Sequence, residues 1–108
     1  MDIRIYQPLT GNSPFEDWFD GLDAAAAAKV TTALTRLGLG NVSHVKGVGM
    51  GVFEIKIDFG PGYRVYFGKD GAMVAILLGG GSKKKQQRDI ETAQDLWKHY
   101  KIQKKGKV

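Results

Sequence analysis

Phe53-Glu54-Ile55-Lys56-Ile57-Asp58-Phe59-Gly60-Pro61-Gly62-Tyr63-Arg64-Val65-Tyr66-Phe67 is the stretch that decides the fold. Apolar and polar residues alternate on both sides of Gly60-Pro61-Gly62, the period of a strand with one face buried. Phe53, Ile55, Ile57 and Phe59 share one face, and Glu54, Lys56 and Asp58 share the other. Beyond the turn, Tyr63, Val65 and Phe67 lie on one face and Arg64 and Tyr66 on the other. Two such strands joined by a Gly-Pro-Gly turn predict an antiparallel hairpin. Partner numbers across a hairpin sum to a constant, so apolar meets apolar only if the loop is odd. A three-residue loop, 60–62, pairs Phe59 with Tyr63, Asp58 with Arg64, Ile57 with Val65 and Lys56 with Tyr66. Gly62 suits the left-handed residue of such a loop.

Downstream, Lys69-Asp70-Gly71 is a turn. Ala72 to Leu78 is apolar on both faces, which predicts an interior strand. Gly79-Gly80-Gly81-Ser82 reads as a hinge. A helix from about Lys85 to Lys101 follows, with Ile90, Ala93, Trp97 and Tyr100 as its buried stripe. Upstream, Ile3 to Tyr6 alternates as a first strand. Ser13-Pro14-Phe15-Glu16 is a capping box opening a short helix to about Phe19. Asp23 caps a second helix through Ala24–Ala28 to about Leu37, buried along Val30, Leu34 and Leu37. Residues 40–51 read as a mobile loop. Their Gly47-x-Gly49-x-Gly51 leads into a strand, not onto a helix N-terminus, so it lacks the basis of a phosphate cradle. The order is βααβββα. It predicts an α+β fold, an antiparallel-rich sheet with the helical hairpin on one face and a C-terminal helix. Residues 1–103 form a single domain in this reading, and 104–108 a basic tail.

The 108 residues contain no cysteine, which removes disulfides, thiolate metal sites and cysteine nucleophiles together. The N-terminus has no signal pattern and the longest apolar run is too short to span a bilayer, so no membrane association and a cytoplasmic location are expected. The net charge of +5 is unevenly spread. Residues 1–23 carry one basic group against five acidic, and residues 83–108 carry nine against three. A polyanionic or acidic partner for the C-terminal part follows from that asymmetry.

Two basic groupings stand out. Lys56, Asp58, Arg64 and Tyr66 fall within one cross-strand block, where neighbours are about 5 Å apart. Lys83-Lys84-Lys85 opens the last helix, where cations oppose the helix dipole and repel one another. A bound phosphate would relieve that conflict. Lys46 and Arg88 extend the basic surface. His44 and His99 have no ligand spacing, so neither a metal nor a cofactor is expected. Metal-free chemistry on nucleic acid is open to RNA, whose 2′-hydroxyl attacks the adjacent phosphodiester. It needs a base, cations for the extra charge on phosphorus and a proton for the departing 5′-oxygen. Arg64 fits charge stabilisation, since arginine keeps its charge and grips phosphate as a fork. Tyr66 would stack on a base or donate a proton, and the base is left open among Lys56 and the lysine run.

The order βααβββα is similar to that of the RelE/ParE superfamily of toxins from toxin–antitoxin modules. Gly60-Pro61-Gly62-Tyr63-Arg64-Val65-Tyr66 in particular resembles the "addiction module killer protein" branch, related to HigB and phage Gp49-like proteins. Leu77-Leu78-Gly79-Gly80-Gly81-Ser82-Lys83, Gln86 or Gln87, and Asp89-Ile90 fit the same frame. That branch commonly has an arginine where this chain has Glu54, and an acidic residue where it has Ser82 and three lysines. The resemblance implies a ribosome-associated mRNA endonuclease held by an antitoxin, often a helix-turn-helix protein. It implies action on the scissile phosphate by Lys56, Arg64 and the Lys83–Lys85 run. With the residue chemistry above, the expected catalytic set is Lys56, Arg64, Tyr66, Lys83 and Lys85, with RNA contacts from Lys84, Arg88 and Lys46. Arg64→Ala is then expected to abolish growth arrest with the fold intact. Two rival readings stay open: a ParE-like gyrase inhibitor without nuclease chemistry, which the superfamily resemblance allows, and a non-catalytic RNA-binding module.

Overall fold

The computed structural model describes residues 1–106. Its elements are β1 (Asp2–Ile5), α1 (Pro14–Asp20), α2 (Ala24–Gly38), β2 (Val45–Gly49), β3 (Val52–Ile57), β4 (Tyr63–Lys69), β5 (Val74–Ser82), a 3-10 turn (Lys83–Lys85) and α3 (Gln86–Lys105). Five strands form one sheet in the order β1-β5-β4-β3-β2. β1 lies parallel to β5, and the other pairs are antiparallel. The fold is mixed α+β, as expected. No helix among the described residues is long and apolar enough to cross a membrane.

The helix starts are set by local chemistry. The Ser13 side chain accepts from the Glu16 amide, and Asp23 accepts from the Ala26 amide at 2.8 Å. α1 and α2 cover one face of the sheet. Phe15, Val30 and Leu37 pack there on Ile55, Ile57, Val65, Phe67, Ala75 and Leu77. Pairing on both sides makes β5 interior, which its two apolar faces require.

Several expectations are corrected. Residues 45–49, expected within a mobile loop, are the edge strand β2, with Val45 opposite Ile55 and Lys46 opposite Glu54. Hydrogen bonds to β3 supply the order that its glycines do not. In the β3–β4 hairpin, Lys56 faces Arg64, Ile55 faces Val65 and Glu54 faces Tyr66. The loop is residues 58–62, closed by Phe59 N–H to Ile57 O and Gly62 N–H to Phe59 O, both 3.0 Å. The register is two residues away from the three-residue-loop expectation. The face opposite α1 and α2, which carries Arg64, Tyr66 and Lys56, is largely covered by α3: Ala93 and Trp97 bury Tyr6, Val52, Tyr66, Ile76 and Leu78. α3 continues through Lys104 to Lys105, into the stretch read as a tail; Lys107 and Val108 lie outside the described residues.

Gly79, Gly80 and Gly81 are not a hinge but the end of β5. Phe67 pairs with Leu77 while Tyr66 pairs with Gly79, so one residue of β5 is extra at this point. The bulge reverses the facing of the strand's last residues: Gly79 and Gly81 turn to the α3 side, Gly80 to the α1 side. A Cβ at Gly80 would lie 2.3 Å from Cε3 of Trp18, and one at Gly81 would lie within the Asp89 carboxylate. The glycines let two helices approach the same strand from opposite sides. Gly80→Ala should therefore lower stability by about 1–3 kcal/mol, the range for overpacked sites. A thermal melt like the parent's would mean that Trp18 moves aside without cost.

Candidate functional site

The register builds the site in two rows on the α3 side. Lys46, Glu54, Tyr66 and Gly79 lie in one row across four strands; Lys56, Arg64 and Gly81 lie in the next. The first turn of α3 brings Gln86 and Asp89 over them. Gln86 Nε2 donates to Glu54 Oε2 at 2.9 Å. Arg64 Nε lies 3.5 Å from Glu54 Oε1, and Lys46 Nζ lies 3.7 Å from the same oxygen.

Glu54 is 1 % exposed and Arg64 5 %. Burying two such charges is tolerable only as a pair, because each loses several kcal/mol of hydration. The pairing is incomplete on the arginine side. Arg64 Nε and Nη1, Tyr66 Oη and Asp89 Oδ2 are buried and form no hydrogen bond among the described residues. Burial pushes the Tyr66 phenol above its ordinary value; the Glu54 and Asp89 carboxylates add to this, and Arg64 opposes it. Burial likewise raises the Asp89 carboxyl against the pull of Arg88 and Lys85. A cavity of about 80 Å³ separates Tyr66 from Asp89, with Gly79, Thr92 and Leu96 among its walls. These four unpartnered groups leave the polar patch under-satisfied, which in a native protein calls for a ligand or water.

The 3-10 turn closes one side. The Lys83 amide donates to Gly62 O at 2.8 Å, fixing the turn against the hairpin loop. A Cβ at Gly62 would lie 3.6 Å from both Arg64 Nη1 and Lys83 Cβ. The Lys83 stem and the guanidinium are thus neighbours. Neither the turn nor α3 has a side-chain hydrogen bond at its N-cap.

The structure brings part of the predicted set together. Arg64, Tyr66 and Lys46 surround Glu54, Lys83 sits beside Arg64, and Lys56 stands across the ladder from it. The Lys56 side chain is half exposed, with Nζ 3.7 Å from Asp58 Oδ1. Lys84, Lys85 and Arg88 are exposed and form no ion pair among the described residues. The Tyr66 ring, 1 % exposed, is sealed under α3 and has no free face for stacking. Arg64 is not the surface position that the Arg64→Ala expectation assumed. Alanine there would leave the buried Glu54 with Lys46, Gln86 and Tyr66 beside it but without its guanidinium partner. The side chains missed from sequence are Glu54, Gln86 and Asp89. Gln86 and Asp89 precede Ile90 and Ala93 at helical spacing, so the buried stripe of α3, extended by one turn, would have found them.

The sequence profile of the phage-derived proteins described as Gp49-like (DUF891) matches residues 17–98. An uncharacterized protein of Haemophilus influenzae is 40 % identical over 97 residues, covering 89 % of this chain and 94 % of that protein.

Proposed function

The chain belongs to the Gp49-like family, which is associated with the toxins of toxin–antitoxin modules, and we propose that it acts as such a toxin by cutting messenger RNA on the ribosome. The observation that carries this reading is Arg64: a guanidinium held by Glu54 through Nε, with Nη1 buried and without a hydrogen bond among the described residues, between Lys56 and Lys83. A phosphodiester entering between those lysines would supply an acceptor for Nη1. The 2′-oxygen attacks phosphorus, the bond to the 5′-oxygen breaks, and the products are a 2′,3′-cyclic phosphate and a 5′-hydroxyl. Arg64 stabilises the charge that develops on the non-bridging oxygens. Lys56 and Lys83 flank the phosphorus, one taking the 2′-proton and the other supplying the proton for the 5′-oxygen. Tyr66 holds its place through burial, and Lys84, Lys85 and Arg88 draw the strand in by charge. The protein partner is an antitoxin that covers or distorts this region.

Ribosomes translating a defined message, with the protein added, should yield cut ends inside the coding region. Arg64→Lys keeps the buried charge opposite Glu54 but loses the fork, and should slow cutting by about 10²-fold, the scale for one lost transition-state donor. Uncut message with the parent protein would sink the nuclease reading. Uncut message together with blocked DNA supercoiling would replace it with gyrase inhibition.

A further inference from the structure

A second basic hollow lies round the sheet edge from Arg64. β2 stops pairing at Val45, opposite Ile55, and His44 O accepts from the Lys56 amide at 3.0 Å. Beyond that point the end of β3 has no strand beside it, and α2 passes over the gap. The hollow left there holds about 270 Å³. That is near the lower end of ligand clefts, about 300 Å³. Lys29, Arg36 and His44 converge on it from α2 and the loop before β2, and Lys56 and Asp58 border it at the end of β3, Asp58 being the single carboxylate. Lys29 and Arg36 are seven residues apart, two helical turns, and so share one face of α2. Lys29 Nζ stands 5.6 Å from the centre of the Phe59 ring. Leu37, Ile55 and Ile57 form an apolar floor.

Charge on the rim and carbon on the floor suit a sugar–phosphate unit better than a free inorganic anion. Lys56 belongs to both places: it lines this hollow and faces Arg64 across the ladder. We propose that the hollow between α2 and the open end of β3 is a second phosphodiester subsite, holding the nucleotide next to the one at Arg64. This rests on the RNA reading and adds a direction to it: the strand runs from the 3-10 turn past Arg64 and Lys56 towards α2. Neither Lys29 nor Arg36 takes part in the chemistry proposed above.

The test is binding of a single-stranded 2′-O-methyl RNA, which cannot be cut, over a series of salt concentrations. Lys29→Gln/Arg36→Gln should weaken binding and reduce the slope of log affinity against log salt by about 0.7 for each phosphate no longer held. Lys98→Gln/Lys105→Gln removes the same charge from exposed positions on α3 and should leave the slope near the parent's. Thr32→Glu, which puts a carboxylate into the hollow and leaves both cations in place, should weaken binding in the same direction. A parent slope in the Lys29/Arg36 variant, or an equal drop in the α3 variant, overturns the subsite and leaves the Arg64 reading standing. A parent protein that does not bind RNA overturns both. Unchanged RNA binding with lost antitoxin binding assigns the hollow to an acidic protein segment and overturns the proposal.

Discussion

Glu54→Ala should lower the free energy of unfolding by about 3–5 kcal/mol, the cost of breaking a buried ion pair from one side. The Arg64 guanidinium would stay at 5 % exposure without the carboxylate that pairs with it. Gln86, half-buried, would lose the acceptor of its side-chain amide. Glu54→Gln keeps the shape and an acceptor and should cost less than the alanine. Urea unfolding of the three proteins checks the order. If the alanine variant unfolds with the parent, the charge of Arg64 is compensated from elsewhere, and the reading of Glu54 as its anchor is wrong.

Trp97→Ala should be comparably damaging, about 3–5 kcal/mol. The indole is the main root of α3 in the sheet. It stacks on Tyr100 at a centroid distance of 5.1 Å, and its ring fills the place where a side chain at Gly68 would begin, 2.3 Å from Cε3. Gly51 approaches the same ring from the turn between β2 and β3, 2.9 Å from Nε1 to its would-be Cβ. Losing the indole removes the packing that presses Gln86 and Asp89 onto the charge row. The proposed cutting of RNA should fall with stability, and amide exchange should quicken along α3 before it does in β3 and β4. Parent-like exchange in α3 would mean that its ends, not Trp97, hold it down.

The frame of the fold is legible in the chain because it is written in local signals. Ser13 and Asp23 cap where capping chemistry demands, β5 is interior because it is apolar on both faces, and Ala93 and Trp97 lie on the stripe that helical spacing picks out. Three features are not local. The parity rule for the hairpin is satisfied equally by pair sums of 120 and 122, so it is blind to a shift of two residues, and that shift places Arg64 opposite Lys56 rather than Asp58. β2 carries Gly47 and Gly49, poor strand formers, and is ordered only because β3 offers it a ladder. The alternation of Glu54 with Ile55 marks two faces but not which of them meets water. Here both are covered, so the polar face is the inside of a charge cluster. Arg64, Lys56 and Lys83 are legible as a basic grouping; the carboxylate of Glu54 is visible beside them, but alternation alone does not show that α3 covers it.

The parallel pairing of β1 with β5 has a consequence for a protein made residue by residue. Asp2 to Ile5 precede their partners, Val74 to Leu77, by 72 residues, and α3, which closes the opposite face, follows later still. Contacts this far apart in sequence are slow to form. The Arg64 cluster is therefore complete only after α3 has been made and has folded back onto the sheet, late in the assembly of the fold.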